Sequence, residues 1–289
     1  MRHSHSVRIG PVSFRIGSDW GGPIALIRRL YADYPSVPAG QELATVRLEA
    51  ARPWRRWLRP SVHIRGDYTI VDALPLPLAQ GLLAAEMGMN LQVALGWRQH
   101  ILLHASAAEC GGRAVVMVGE SGSGKSTLAA MLGETPQWRL MGDEFALLAP
   151  DDGQIYAFPR LVSLKNEAVA AMASQVPAAR MGPAISGTPK GLIRHIIPRA
   201  DAIARMDEPA RPALILFPTF GGAPGLRAVP PGEAFVRLTE SSTNYVALGE
   251  AGYAALQALV QSVPAVAIGY ASGEEGLAAV NALWAGLAG

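Results

Sequence analysis

A single cysteine, Cys110, in 289 residues excludes an internal disulfide framework and fits a reducing compartment. Long apolar runs are also missing. The longest, over residues 78–97, is interrupted by Gln80, Glu86, Asn90 and Gln92, so it reads as an amphipathic helix and not as a membrane span. The opening MRHSHSVRIG lacks the apolar core of a secretory signal, and the expected location is cytoplasmic. No charge sign dominates: 25 Lys and Arg against 23 Asp and Glu leave a formal +2, which gives no case for a nucleic-acid partner. Apolar residues are abundant instead. At 50% hydrophobic and 17% charged, the chain is expected to pack into a globular fold of one large or two modest domains.

Along the chain, residues 6–16 alternate and predict a strand ending at Gly17. Ile24, Ile27, Tyr31 and Tyr34 recur at helical spacing before Pro35. Residues 43–50 and 61–72 read as strands and 77–97 as a helix. The predicted division is a small α+β unit over 1–98, which has no catalytic motif, and a larger α/β domain over 99–289. In the second part, ILLHASAAE and RAVVMVG flank Cys110-Gly111-Gly112, a hairpin signal. WRLMG (138–142) is a buried strand ending in Asp143 and Glu144. FALLA and QIYAF flank a turn at 150–153, and 166–175 is helical. Residues 177–191 read as a long loop, a length uncommon unless the loop has a function. Residues 213–220 and 265–270 are strands, and 249–262 and 273–287 are helices.

One motif is complete. Gly119-Glu-Ser121-Gly122-Ser123-Gly124-Lys125-Ser126-Thr127 matches G-x-x-x-x-G-K-[ST], after an apolar run and before a helical one. Glycines there let backbone N–H groups turn onto phosphates, and the next helix presents its positive end. Lys125 is expected to neutralise the β- and γ-phosphates, and Ser126 to supply a hydroxyl ligand to Mg²⁺. Asp143 and Glu144, at the end of a later buried strand, suit two roles: taking a proton from an attacking hydroxyl and holding Mg²⁺ through water. The alternative is a solvated strand end. His104, mid-strand in ILLHASAAE, is either a core histidine or an orienting partner for the acid. Gly187-Thr-Pro-Lys190-Gly191, followed by Arg194 and His195, is either an exposed hinge or a flap carrying Lys190 to the transferring phosphate. Trp54 and Trp57 among Arg52, Arg55, Arg56 and Arg59 form a surface loop with arginine stems over tryptophan faces, or bind an acidic partner.

The run from His104 to Glu144 resembles the HPr kinase/phosphorylase superfamily. It is more closely similar to bacterial HPr kinase-related proteins, which include the peptide kinases of lasso-peptide gene clusters. LLHA, a short hairpin, GxSGSGKST and a strand ending in Asp-Glu carry the likeness, with PRLVSLKN (159–166), GTPKG (187–191) and DEPARPALILFP (207–218). The resemblance implies a P-loop kinase domain of HPr kinase type, with ATP and Mg²⁺ as cofactors. It makes Asp143 the base toward a substrate serine, Glu144 the second acid and His104 the histidine beside them. Two features depart from the family: Ser126-Thr127 stands where HPr kinases carry Ser-Glu, and the Glu-x-Arg-Gly-x-Gly signature of phosphorolysis is missing.

The expected function is therefore transfer of the ATP γ-phosphoryl group to a serine or related hydroxyl of a protein or peptide, a ribosomal precursor peptide included. The catalytic residues would be Asp143, His104, Lys125 and Lys190. Gly119, Ser121, Gly122, Ser123, Gly124, Lys125, Ser126 and Thr127 would hold nucleotide, and Ser126 and Glu144 the metal. A P-loop ATPase or nucleotide-binding regulator that phosphorylates nothing is the competing class. An ABC-type ATPase is disfavoured by the lack of an LSGGQ-like run. A homo-oligomer stays open.

Overall fold

The structure, a computed structural model, describes residues 2–287 and is a mixed α/β protein with several sheets. It divides into two compact units: 2–97 together with Pro183–Leu192, and Arg98–Gly182 together with 193–287. The decapeptide Pro183–Leu192 thus groups with the first unit, whereas the sequence reading keeps it in the second.

The first unit holds a five-stranded sheet in chain order, from His3–Ile9 to Leu76–Pro77. Its start corrects one expectation. Residues 6–16 are not one strand but parts of two, His3–Ile9 and Val12–Ser18, paired antiparallel with Ile9 opposite Val12. Gly10, at φ 52°, makes the tight reversal that the alternation hides. Phe14, Ile16, Val46 and Leu48 point inward at period two, and the helices Gly21–Leu30 and Gly81–Gly96 bury Ile24, Ile27 and Met89 against them.

The second unit is built on a six-stranded sheet in the order Gly225–Ala228, Ala265–Tyr270, Arg211–Phe220, Arg113–Val118, Ala105–Cys110, Arg139–Gly142. Arg211–Phe220 runs parallel to both neighbours, and Ala105–Cys110 antiparallel to both of its own. Alternation along Arg113–Val118 divides the core. Val115 and Met117 join the helices Lys125–Glu134 and Gly273–Gly286, while Val116 and Val118 join Pro231–Ser241 and Tyr245–Ser262. Burial on both faces explains why these strands read as continuous apolar runs.

Two further expectations are corrected, and two elements went unread. ILLHASAAE is not one strand: Ile101–Leu103 pairs with Ala146–Leu148 in a small sheet, Ala105–Cys110 joins the large one, and His104 lies at the break. The His104 N–H donates to the Ser241 carbonyl (2.8 Å), outside either ladder. Residues 177–191 are not a long loop. They contain a 3₁₀ turn at Ala178–Arg180 and the strand Ile185–Thr188, which adjoins Gly191–Ile196. Gln80, buried, donates its side-chain amide to the carbonyls of Ser186 (3.2 Å) and Gly187 (3.0 Å). Helix Pro231–Ser241 and strand Gly225–Ala228 follow a Gly- and Pro-rich stretch that conceals them.

Candidate functional site

The Arg113–Val118 strand runs into the 119–127 loop, and the loop runs into the Lys125–Glu134 helix. Gly122 and Gly124 both take φ 93°, a conformation nearly closed to other residues, and Gly124 caps the helix. The loop is held from outside: the Phe220 N–H donates to the Ser123 carbonyl (3.0 Å) and the Gly221 N–H to the Tyr270 carbonyl (2.9 Å). Tyr270 packs its ring edge-on to Phe220 at 5.7 Å and brings its hydroxyl against Gly124, where an added methyl group would collide with it. The hydroxyls of Tyr270 and Ser123 are buried with no hydrogen-bond partner among the described residues. Burial pushes the Tyr270 phenol up to about 12. Lys125 is buried at the start of the helix, its Nζ donating to the Glu120 carbonyl (3.3 Å).

The carboxylate side of the site follows from the end of Arg139–Gly142. Gly142 sits so close to the carbonyls of Phe145 and Phe158 that no side chain fits there. The chain then turns, with Glu144 at φ 73°, a strained conformation for a residue with a Cβ. The turn buries Asp143 and leaves Glu144 part-exposed. Ser106 Oγ donates to Asp143 Oδ1 (2.7 Å), and the Ser163 N–H lies 3.4 Å from Oδ2, a weaker contact. Ser126 also lies close enough to favour the charged form of Asp143.

Burial raises the Asp143 carboxyl above the usual carboxylate range, and the charge of Glu144 adds to the rise. The bond from Ser106, the nearby Ser126 and the charge of Lys125 oppose it. Burial likewise lowers the His104 imidazole, against the pull of Glu144. His104 Nδ1 and Glu144 Oε2 are 3.7 Å apart, too long for a hydrogen bond. With a neutral imidazole the two are neighbours rather than an ion pair.

The fold thus brings together Lys125, Ser126, Asp143, Glu144 and His104. Lys190 belongs to a different unit. It is exposed beside Gly191, in the first unit, and its backbone N–H donates to Thr188 Oγ1 (3.2 Å). Arg194 donates to the Gly182 carbonyl (2.8 Å), and His195 is buried. Two residues escaped the sequence reading. Ser106 shares the strand face of Ala108 by period two, a legible signal; Tyr270 gives none, because nothing in YASG says that its ring folds under the loop. Among the described residues no three His, Cys, Asp or Glu side chains form a metal cluster. Ser126 and Glu144 are hard oxygen donors of the kind that Mg²⁺ takes one or two at a time, with nucleotide and water completing its shell.

No family model matches the chain, and neither does any curated protein. Among solved structures it is similar to the HPr(Ser) kinase/phosphatase from Coxiella burnetii, at 14% identity over 63% of this chain and 96% of that one, with a TM-score of 0.27. So low a TM-score does not assign a fold, and the functional reading rests on the site's own geometry.

Proposed function

We propose that this chain is an ATP-dependent kinase, with a P-loop at 119–127, that phosphorylates a serine or related hydroxyl of a protein or peptide. The observation that carries the reading is Asp143, a buried carboxylate that accepts from Ser106 Oγ and lies within electrostatic reach of the buried Lys125 and of Ser126 beside it. A carboxyl whose proton affinity is raised is a better base than a surface one, provided it is ionised at the working pH. Asp143 takes the proton of the acceptor hydroxyl as its oxygen bonds the γ-phosphorus. The bond from that phosphorus to the bridging oxygen breaks, and ADP leaves. Lys125 neutralises charge on the β- and γ-phosphates, and His104 stands beside Glu144. Ser126 and Glu144 would hold Mg²⁺, which would further neutralise phosphate charge.

Product analysis with γ-labelled ATP tests this reading. Label on a peptide hydroxyl supports it; free phosphate alone, from any acceptor tried, makes the chain an ATPase. The loop's geometry adds a prediction. Gly124→Ala forces a Cβ into φ 93° and against Tyr270 and Phe220, so calorimetry should find ATP bound about tenfold or more weakly. Wild-type affinity would mean that the loop's backbone does not shape the phosphate site. Lys190 keeps its expected role only as part of this proposal, as an exposed cation that reaches the transferring phosphate at the reacting stage. Lys190→Ala is then expected to lower kcat more than it weakens ATP binding, and an unchanged kcat would remove Lys190 from the mechanism.

A further inference from the structure

The Arg- and Trp-rich segment of the first unit has no part in that chemistry. The 3₁₀ turn Pro53–Arg56 and the strand Ser61–Gly66 border a pocket of about 380 Å³ lined by Arg52, Trp54, Arg55, Ser61, His63 and Pro75. The turn is fixed from behind, not loose: Trp20 Nε1 donates to the Arg56 carbonyl (3.0 Å), and Arg56 Nη2 donates to the Asp19 carbonyl (2.8 Å). Arg52 lies over the Trp54 ring at 5.3 Å.

Some surface arginines pair with acids, as Arg227 does with Glu233, Arg205 with Glu208 and Arg199 with Asp201. Arg52, Arg55 and Arg59 have no carboxylate partner among the described residues, although three cations within eight residues repel one another. Apolar exposure is concentrated here as well. Trp57 is 76% exposed, and Val71 and Leu74, near Pro75 in sequence, are each 88% exposed. Clustered exposed apolar residues beside unpaired cations mark an interaction surface.

We propose that this surface docks an acidic peptide segment carrying apolar side chains. Its carboxylates would meet Arg52 and Arg55, and its apolar groups would cover Trp54 and Trp57. A nucleic acid would leave the aliphatic residues bare. An anionic bilayer that received Val71 would press on the exposed Asp72 beside it. Docking stands apart from catalysis; only the step that makes this segment part of the phosphorylated acceptor rests on the kinase reading.

The test is fluorescence polarisation with the full chain and a short labelled peptide of repeating Glu-Leu-Asp-Ser. Expected is saturable binding that weakens with added salt and falls by about tenfold or more in Arg52→Glu/Arg55→Glu. That double variant should retain wild-type thermal unfolding, since both side chains are at the surface. Should it not fold, Arg52→Ala and the salt series on the unaltered chain decide instead. A Lys-Leu-Lys-Ser peptide bound equally well, an unchanged affinity in the variants, or binding only to phosphatidylglycerol vesicles or to an oligonucleotide would overturn the proposal.

Discussion

Lys125→Ala is expected to lower the turnover of ATP by about 10²–10³, the usual cost of removing one preorganised group from developing charge. The reasoning starts from position. Lys125 opens the Lys125–Glu134 helix and is buried, so its ammonium is held in a setting with little water. There it would interact strongly with phosphate charge and need little rearrangement to do so. Its Nζ donates to the Glu120 carbonyl at 3.3 Å. Steady-state turnover measures the effect. A variant with wild-type turnover would take the 119–127 loop out of the mechanism.

Asp143→Asn is expected to retain ATP binding and lose phosphoryl transfer by about 10²–10⁴, because the amide keeps the shape but accepts no proton. Unfolding is separable from chemistry here. Burial and Glu144 raise the folded carboxyl's pKa above its unfolded value, so the stability this group contributes is present at low pH and is lost as pH rises through the folded pKa. At pH 8 the variant should therefore melt no lower than the wild type, the bond from Ser106 being available to the amide oxygen. The same shift displaces the acid limb of the kcat/KM profile. Activity should fall as pH drops through a pKa above about 3.9, the ordinary aspartate value. Calorimetric ATP binding beside a transfer assay decides the matter. Unchanged transfer in Asp143→Asn would exclude Asp143 as the base.

Much of the site was legible in one dimension because its chemistry is local in the chain. Nine consecutive residues make the 119–127 loop, and its φ-permissive glycines and following helix can be read from spacing alone. Asp143 and Glu144 follow a four-residue apolar strand and announce themselves as charge at its end. The twenty-one residues 105–125 need no distant partner to be recognised as hairpin, loop and helix start.

Three of the misses share one cause. Residues 6–16, 101–109 and 177–191 are uniform in pattern, and what divides them is a reversal or a change of sheet. Gly10 turns one run, and His104 leaves both ladders of another to bond Ser241, more than a hundred residues away. Gln80 holds Ser186 and Gly187 across a similar separation. Composition and periodicity determined where polar and apolar residues lie and which short motif turns on itself. Only the tertiary structure decided which of two like acids is buried, which hydroxyl braces it, and that Tyr270 lies beneath Gly124. Burial and proximity between distant segments are set by packing, and packing leaves no trace in local order.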